Sequence, residues 1–315
     1  WHGAGGSLAQ ELAPGEWRAY PGVPVPSLVA ARLGWRLEEV TCLGLHAAPL
    51  ERLRRHLTDG ARLIVTLRDG AAPSALAGYL TALGFGSSVL HVMEHLGGPR
   101  ERIRRHAAHD GLPVFENLVA CAVEVRGGKG LPQVPGLADD LFDHDGQITK
   151  RPIRALALSA LAPRAGELLW DLGAGSGSVG IEWLLSHPRN RAVGVERDPA
   201  RAARARANAL SFGVAHFDIR EGAALELLPG LPTPDAVFIG GGLDGALLDA
   251  VWAGLPAGTR IVAHGVTLET ESLLAGAQAR LGGTLLRIEL SQAAPLGGKR
   301  GWKASHPVVQ WSVMR

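Results

Sequence analysis

The run Asp171-Leu172-Gly173-Ala174-Gly175-Ser176-Gly177-Ser178 carries the strongest chemical signal in the sequence. Glycine at alternate positions lets the chain turn sharply and lets backbone N–H groups approach a ligand. A carboxylate, Glu196, follows 23 residues after Gly173. At the end of a second strand it can accept both hydroxyls of a ribose. Dinucleotide sites share that logic, and Asp171 separates the readings. Immediately before the glycine loop it can meet the ammonium or ribose end of S-adenosylmethionine, whereas beside a pyrophosphate it would be repulsive. The apolar stretch 236–239 runs into Gly240-Gly241-Gly242, an open lip suited to a substrate approaching a methyl donor. These residues point to a Rossmann-type, S-adenosylmethionine-binding domain from about Asp140 to Arg315, and hence to a methyltransferase. Methyl transfer needs in-line alignment and exclusion of water more than a dedicated base, so no catalytic residue is assigned.

Strands and helices must alternate to present these groups, and the downstream pattern does so. Thr149 as N-cap and Pro152 in the first turn open a helix running to about Leu161. Strands are expected over 168–172, 191–196, 236–239 and 260–263. Helices are expected over 178–185, from the Asp198-Pro199 cap to about Gly213, and over 243–255 and 269–281. Arg201, Arg204 and Arg206 face outward on the second of these helices. The stretches 284–290 and 307–313 read as two strands with no helical pattern between them, giving a parallel α/β sheet that ends in an antiparallel hairpin. Upstream, 27–33 and 73–83 read as helices, and 40–45, 63–67, 88–93 and 117–125 as strands. This part is also α/β but has no glycine-rich phosphate loop. Between the two lies Arg126–Gly136, with four glycines and two prolines in 11 residues. It predicts a linker at 127–138 between domains at 1–126 and 139–315.

Composition narrows the partners. The chain has 315 residues, 46% hydrophobic and 20% charged, which suffices for two cores. Net charge is +2, with only four lysines, and aromatics are 5%. That is poor material for a basic, aromatic-studded nucleic-acid face. No apolar stretch is long enough for a membrane span. The start, Trp1-His2-Gly3, has neither an initiator Met nor a signal-peptide pattern, so the chain is expected to begin within a larger protein. Two cysteines, Cys42 and Cys121, sit in apolar runs, which excludes a disulfide framework or Cys-rich zinc site and suggests a reducing, cytoplasmic setting. No metal is expected. His91 and His95 flank Glu94 in the wrong order for a zinc protease and read as structural. Asp139, Asp140, Asp143 and Asp145 around His144 read as an exposed lead-in, and His46 as a packing or loop residue.

Several segments together resemble a known family. They are Asp139-Asp140-Leu141-Phe142, Gly146-Gln147-Ile148-Thr149-Lys150-Arg151, the run from Leu169 to Ser178, and Phe238-Ile239-Gly240-Gly241-Gly242. The chain is similar to the cobalamin-pathway precorrin-6Y methyltransferases (decarboxylating) of the CobL type, in which a CbiE-like module is fused to a CbiT-like module. Upstream, 20–34, Leu43-Gly44-Leu45-His46, 97–102 and Asn117-Leu118-Val119-Ala120 resemble the central part of the tetrapyrrole methylase fold. The fold implied is a C-terminal class I Rossmann-like methyltransferase domain after an incomplete class III, tetrapyrrole-methylase α/β domain that lacks the usual N-terminal subdomain. The activity implied is methylation of a precorrin-6Y-type tetrapyrrole at carbons 5 and 15, with loss of the ring C acetate carboxyl, giving precorrin-8. Of this the chain is expected to retain the carbon 15 methylation and decarboxylation. The resemblance places S-adenosylmethionine at Thr149, Gly173, Ala174, Gly175, Ser176, Gly177, Glu196 and Ala224, to which the residues themselves add Asp171 and Gly240. At Glu221-Gly222-Ala223-Ala224 the acid that many relatives place near the adenine is missing, so backbone alone holds the adenine amino group.

A tetrapyrrole acceptor carries several carboxylates, for which arginine forks are suited. Arg151, Arg154, Lys299, Arg300 and Lys303 are the candidate cations, with Lys299 and Arg300 in a mobile, glycine-rich loop at 297–301. A homo-oligomer with neither nucleic acid nor membrane as partner is expected. Two other readings use the same glycine loop: an RNA or protein methyltransferase, and a non-catalytic scaffold that binds the cofactor.

Overall fold

The computed structural model describes residues 4–315 and divides the chain into two compact units, Trp1–Leu131 and Pro132–Arg315. The expectation about the chain start at Trp1 lies outside the described residues.

The first unit contains α1 (Ala4–Glu11), α2 (Val25–Leu33), β1 (Val40–Gly44), β2 (Arg62–Thr66), α3 (Ala72–Ala82), β3 (Val89–Glu94), β4 (Arg102–Ala107) and β5 (Val119–Glu124). Its sheet has the order β1-β2-β5-β3-β4; β1 and β2 are parallel and the other neighbours antiparallel. Leu63, Val65, Leu90, Val92, Cys121 and Val123 pack with Leu76 and Leu80 of α3 in one buried cluster. Strand β4 does not read as a strand in the sequence, because Arg102, Arg104 and Arg105 crowd it. Those charges suit its place at the sheet edge, where they discourage pairing with another chain. Arg104 donates to the buried Glu94 at 2.6 Å, His91 meets Glu124 at 2.9 Å and His95 meets Glu116 at 3.0 Å. Both histidines are structural partners of carboxylates.

The second unit contains α4 (Arg151–Leu161), β6 (Leu168–Leu172), α5 (Ser178–Ser186), β7 (Arg191–Glu196), α6 (Pro199–Ser211), β8 (Asp218–Glu221), α7 (Ala224–Leu227), β9 (Ala236–Ile239), α8 (Gly245–Gly254), β10 (Arg260–Gly265), α9 (Leu268–Leu281), β11 (Thr284–Ile288), β12 (Ser291–Leu296), β13 (Lys299–Ala304) and β14 (Val308–Met314). The sheet order is β11-β14-β10-β9-β6-β7-β8. Strands β10, β9, β6, β7 and β8 run parallel, and β14 is antiparallel to both neighbours. This is the Rossmann-like methyltransferase sheet. Strand order reverses between β6 and β9, and ligands of open α/β sheets bind at the carboxyl edge of that switch point.

Alternation along the strands divides the core. Trp170, Leu172, Val193, Val195, Val237, Ile239, Ile261 and Ala263 pack against α8 and α9. The intervening residues, including Asp171, Gly194, Glu196, Phe238 and His264, therefore face the opposite side of the sheet. Helix α4 packs there through buried Ile153, Ala157, Leu158 and Leu161.

Three sequence expectations change. Helix α4 begins at Arg151 with Lys150 as its N-cap and no side-chain capping bond, so Thr149 is not the cap. Strand β8 carries no strand signal in the sequence, with only Ile219 buried among Asp218, Arg220 and Glu221. Finally, the terminal pair β11 and β14 encloses an antiparallel ribbon of β12 and β13 rather than a loop. Lys299 and Arg300 thus open strand β13 and do not belong to a glycine-rich loop.

The segment at 127–138 is divided between the units. The Gly127 N–H donates to Asp59 at 2.8 Å within the first. Gly136 and Leu137 donate to the Glu182 carboxylate at 2.6 and 2.9 Å within the second.

Candidate active site

Three glycines in the loop after β6 adopt left-handed conformations: Gly173 at φ 76°, Gly175 at 57° and Gly177 at 75°. Each serves a different purpose. A Cβ on Gly173 would lie 2.8 Å from the Gly241 carbonyl oxygen, so the glycine loop and the lip after β9 are in contact. A Cβ on Gly177 would meet Ala205 of α6 and Phe217 at 3.2 and 3.3 Å, so this glycine lets helices pack closely. Gly175 has only the Gly173 carbonyl at 4.0 Å, which leaves open space over the loop. The Val195 carbonyl accepts from both Gly173 and Ala174, at 2.9 and 3.0 Å, and Gly240 donates to the Leu172 carbonyl at 3.0 Å. The loop is thereby fixed to strands on both sides.

Glu196 closes the arrangement from β7. Its Oε2 accepts from the Gly175 N–H at 2.8 Å and its Oε1 from the Asp198 N–H at 2.9 Å, while its own carbonyl accepts from Gly222 at 3.0 Å. One residue joins the glycine loop, the turn that caps α6, and the segment leading to Ala224 at the start of α7. Glu221, before that segment, pairs with Arg206 at 2.6 Å.

Asp171 lies beneath the loop and is only 1% exposed. Its Oδ2 accepts the Gly180 N–H in the first turn of α5 at 2.9 Å. Burial pushes its carboxyl up to about 7; the Gly180 hydrogen bond opposes this and the charge of Glu196 adds to it. An ionised group with so little solvation favours any cation above it.

Two contributors escaped sequence reading. Phe217 fills the void left by Gly177, Gly180 and Gly194: a Cβ on Gly180 would stand 2.2 Å from its ring and one on Gly194 3.0 Å. Asn208 of α6 accepts the Asp143 N–H at 2.9 Å and donates to the Asp143 and Ser176 carbonyls, each at 2.9 Å. It joins the lead-in to the loop. A lone Asn among the Ala and Arg of α6 was the available signal.

Three of the four lead-in acids are paired, Asp139 with Arg154 at 3.1 Å. Asp145 takes Arg201 at 2.8 Å, and Arg204 lies 3.5 Å from Asp143 and 3.6 Å from Asp145. These arginines clamp the lead-in instead of pointing away. Among the described residues no His, Cys, Asp and Glu group is placed to hold a metal.

Arg154 is not available to a substrate, contrary to expectation. It is fully buried, donating to Glu182 at 2.6 Å, to Asp139 at 3.1 Å, and to the Thr149 and Leu137 carbonyls. Its guanidinium lies 4.8 Å from the Phe142 ring centroid. The residue is a structural hub tying the lead-in to α4 and α5. Arg151 is exposed at the start of α4, and Lys299, Arg300 and Lys303 are exposed on β13.

The loop suits an adenosyl cofactor on two observations of the site itself. Gly175 leaves an open cradle that a Cβ would enter, and the buried Ser176 hydroxyl has no hydrogen-bond partner.

The family model described as precorrin methyltransferase domain matches residues 140–315. The chain is 48% identical over 315 residues to the precorrin-6Y C(5,15)-methyltransferase (decarboxylating) of Sinorhizobium sp, covering 98% of this chain and 76% of the relative. It is 34% identical over 179 residues to the cobalt-precorrin-6B C(15)-methyltransferase (decarboxylating) of Salmonella typhimurium, covering 55% of this chain and 92% of the relative. The crystal structure of the C-terminal domain of precorrin-6Y C5,15-methyltransferase from Rhodobacter capsulatus is 52% identical, with a TM-score of 0.57, and covers 59% of this chain and 100% of that one. With near-complete coverage at this identity, the chain belongs to the precorrin-6Y C(5,15)-methyltransferase (decarboxylating) family.

Proposed function

We propose that the second unit uses S-adenosylmethionine to methylate carbon 15 of a precorrin-6Y-type tetrapyrrole and carries out the coupled decarboxylation of its ring C acetate, a step of cobalamin biosynthesis. The observation that carries this reading is the meeting of the glycine loop, the Glu196 carboxylate and the Gly240–Gly242 lip at the switch point of the sheet. The shorter Salmonella relative supports the assignment, since its name carries only the carbon 15 methylation and the decarboxylation. The corresponding carbon 5 methylation belongs, on family resemblance, to the module represented by the first unit.

The bound cofactor supplies an electrophilic methyl group on a good leaving group. The chain's residues bind and orient it. Glu196 offers carboxylate oxygens to ribose hydroxyls, the open face of Gly175 admits the ligand next to backbone, and the buried Ser176 hydroxyl of the same loop has no protein partner. Thr149, Gly173, Ala174, Gly177, Ala224 and Gly240 complete the proposed contacts. Asp171 acts from below through its charge. The lip has no side chains at Gly240, Gly241 and Gly242, which lets a flat acceptor come close; proximity of this kind is the main catalytic contribution available here.

Methylating a meso carbon releases a proton. Decarboxylating the acetate breaks its bond to the carboxyl carbon, sends the electron pair into the conjugated ring system, and takes up a proton at the remaining carbon. Arg151, Lys299, Arg300 and Lys303 are the proposed partners of substrate carboxylates. Two free cysteines, with burial pushing the Cys121 thiol up, support a reducing cytoplasmic setting. A homo-oligomer is part of the same family-based reading. Incubating the chain with methyl-labelled S-adenosylmethionine and either precorrin-6Y or RNA tests the proposal. Label is expected in the tetrapyrrole; label in RNA alone overturns it.

A further inference from the structure

The ribbon of β12 and β13 extends beyond the main sheet. Its pairing runs from Ser291 opposite Ala304 to Leu296 opposite Lys299. Directly opposed residues share a face and neighbours along a strand do not. Arg300 and Trp302 therefore stand on one face with Pro295 and Ala293, and Lys299 and Lys303 on the other. Trp302 is 79% exposed and Leu296 70% exposed. The stretch 291–304 holds three cations and no acid.

Register fixes where the ribbon emerges. Val309 of β14 lies opposite Gly265 at the carboxyl end of β10, and Val308 lies opposite Ile288 at the end of β11. Both roots of the ribbon leave the sheet at its carboxyl edge, the edge that carries the glycine loop after Leu172 and the lip after Ile239. Helix α4 starts at the same edge. Its last residue, Leu161, accepts from Arg260 at the beginning of β10, so its first residue, Arg151, lies toward the other end.

We propose that the ribbon is a substrate-holding arm in which Trp302 stacks on the conjugated face of the tetrapyrrole and Arg300, on the same face, takes a peripheral carboxylate. The inference rests on the functional reading above. Its occupant follows from complementarity: a flat, π-rich acceptor needs an aromatic platform, and a polycarboxylate rim needs cations without competing acids. Trp302, 79% exposed and on the same face as Arg300, offers both on one surface. Trp302 is a positioning residue that binds substrate away from the reacting carbon.

The test uses the full chain with precorrin-6Y and labelled S-adenosylmethionine. Trp302→Ala is expected to raise the tetrapyrrole KM about tenfold, and Trp302→Phe to hold it within about threefold of the original. Cofactor affinity by calorimetry and the sedimentation coefficient stay unchanged in both. An unchanged KM in Trp302→Ala, beside an active unsubstituted chain, overturns the arm while leaving the functional reading intact. A change in sedimentation that KM follows assigns the ribbon to contact between copies and also overturns it. If the unsubstituted chain neither binds nor methylates the tetrapyrrole, the functional reading fails and the arm with it.

Discussion

Glu196 Oε2 accepts the Gly175 N–H at 2.8 Å, so the acid that ends β7 clasps the glycine loop that follows β6. Its second oxygen holds the Asp198 N–H at 2.9 Å. Both bonds need an acceptor, and an amide supplies only one. Glu196→Gln should weaken S-adenosylmethionine binding at least tenfold, at about 1.4 kcal/mol per decade, because hydrogen bonds to a charged group are among the stronger ones. Titration calorimetry measures this; affinity within about twofold of the original would place the ribose elsewhere.

The contact between loop and lip gives a paired prediction. Gly173→Ala puts a side chain at φ 76° and 2.8 Å from the Gly241 carbonyl. A loss of about 1–3 kcal/mol in stability is expected from the backbone strain, together with weaker cofactor binding. Gly241→Ala meets nothing within 4 Å and should leave stability within about 0.5 kcal/mol, while raising the tetrapyrrole KM. Urea unfolding and steady-state kinetics check the pair; equal destabilisation by both would refute the asymmetry.

Asp171 gives a pH dependence with a definite sign. Its carboxyl moves from an ordinary 3.8 to about 7 on burial, so the folded chain holds a proton there that the unfolded chain has released. Its contribution to stability is present at low pH and is lost as pH rises from about 4 through about 7. A cationic cofactor favours the ionised form, so binding expels the proton. Cofactor affinity should therefore rise with pH up to about 7 and level above it. Calorimetry in buffers of different ionisation enthalpy reads the proton release. Asp171→Asn should flatten the profile; a slope that survives would assign it to another group.

Arg154 and Arg151 sit three residues apart on α4 but should behave oppositely. Arg154→Met strands the buried Glu182 and the Leu137 carbonyl, and losses of about 3–5 kcal/mol are typical when one partner of a buried ion pair is removed. Arg151→Ala removes an exposed charge and should leave the melting temperature unchanged while raising the tetrapyrrole KM. Unaltered stability in Arg154→Met would refute its hub role, and unaltered KM in Arg151→Ala its place at the substrate.

The sheet was readable because buried parallel strands are short apolar runs, and 168–172, 191–196 and 236–239 each show one. The chemistry was readable at Gly173–Gly177 and Glu196 because glycine spacing and a strand-end acid are local signals. What escaped depends on contacts between distant residues. Arg154 looks like any surface arginine until Glu182, 28 positions away, meets it. Phe217 carries no mark of lying under the loop. The edge strand β4 and the ribbon strands β12 and β13 are too polar or exposed for a periodic apolar signal, so Lys299 and Arg300 read as loop residues.

The most direct test of the central claim follows both carbons in one reaction. The chain is supplied with methyl-labelled S-adenosylmethionine and precorrin-6Y labelled in the ring C acetate carboxyl. The account predicts label at carbon 15 by NMR and release of labelled carbon dioxide in equal amount, with both lost in Glu196→Ala. Methylation of RNA with an untouched tetrapyrrole, or carbon dioxide release that persists in Glu196→Ala, would contradict it.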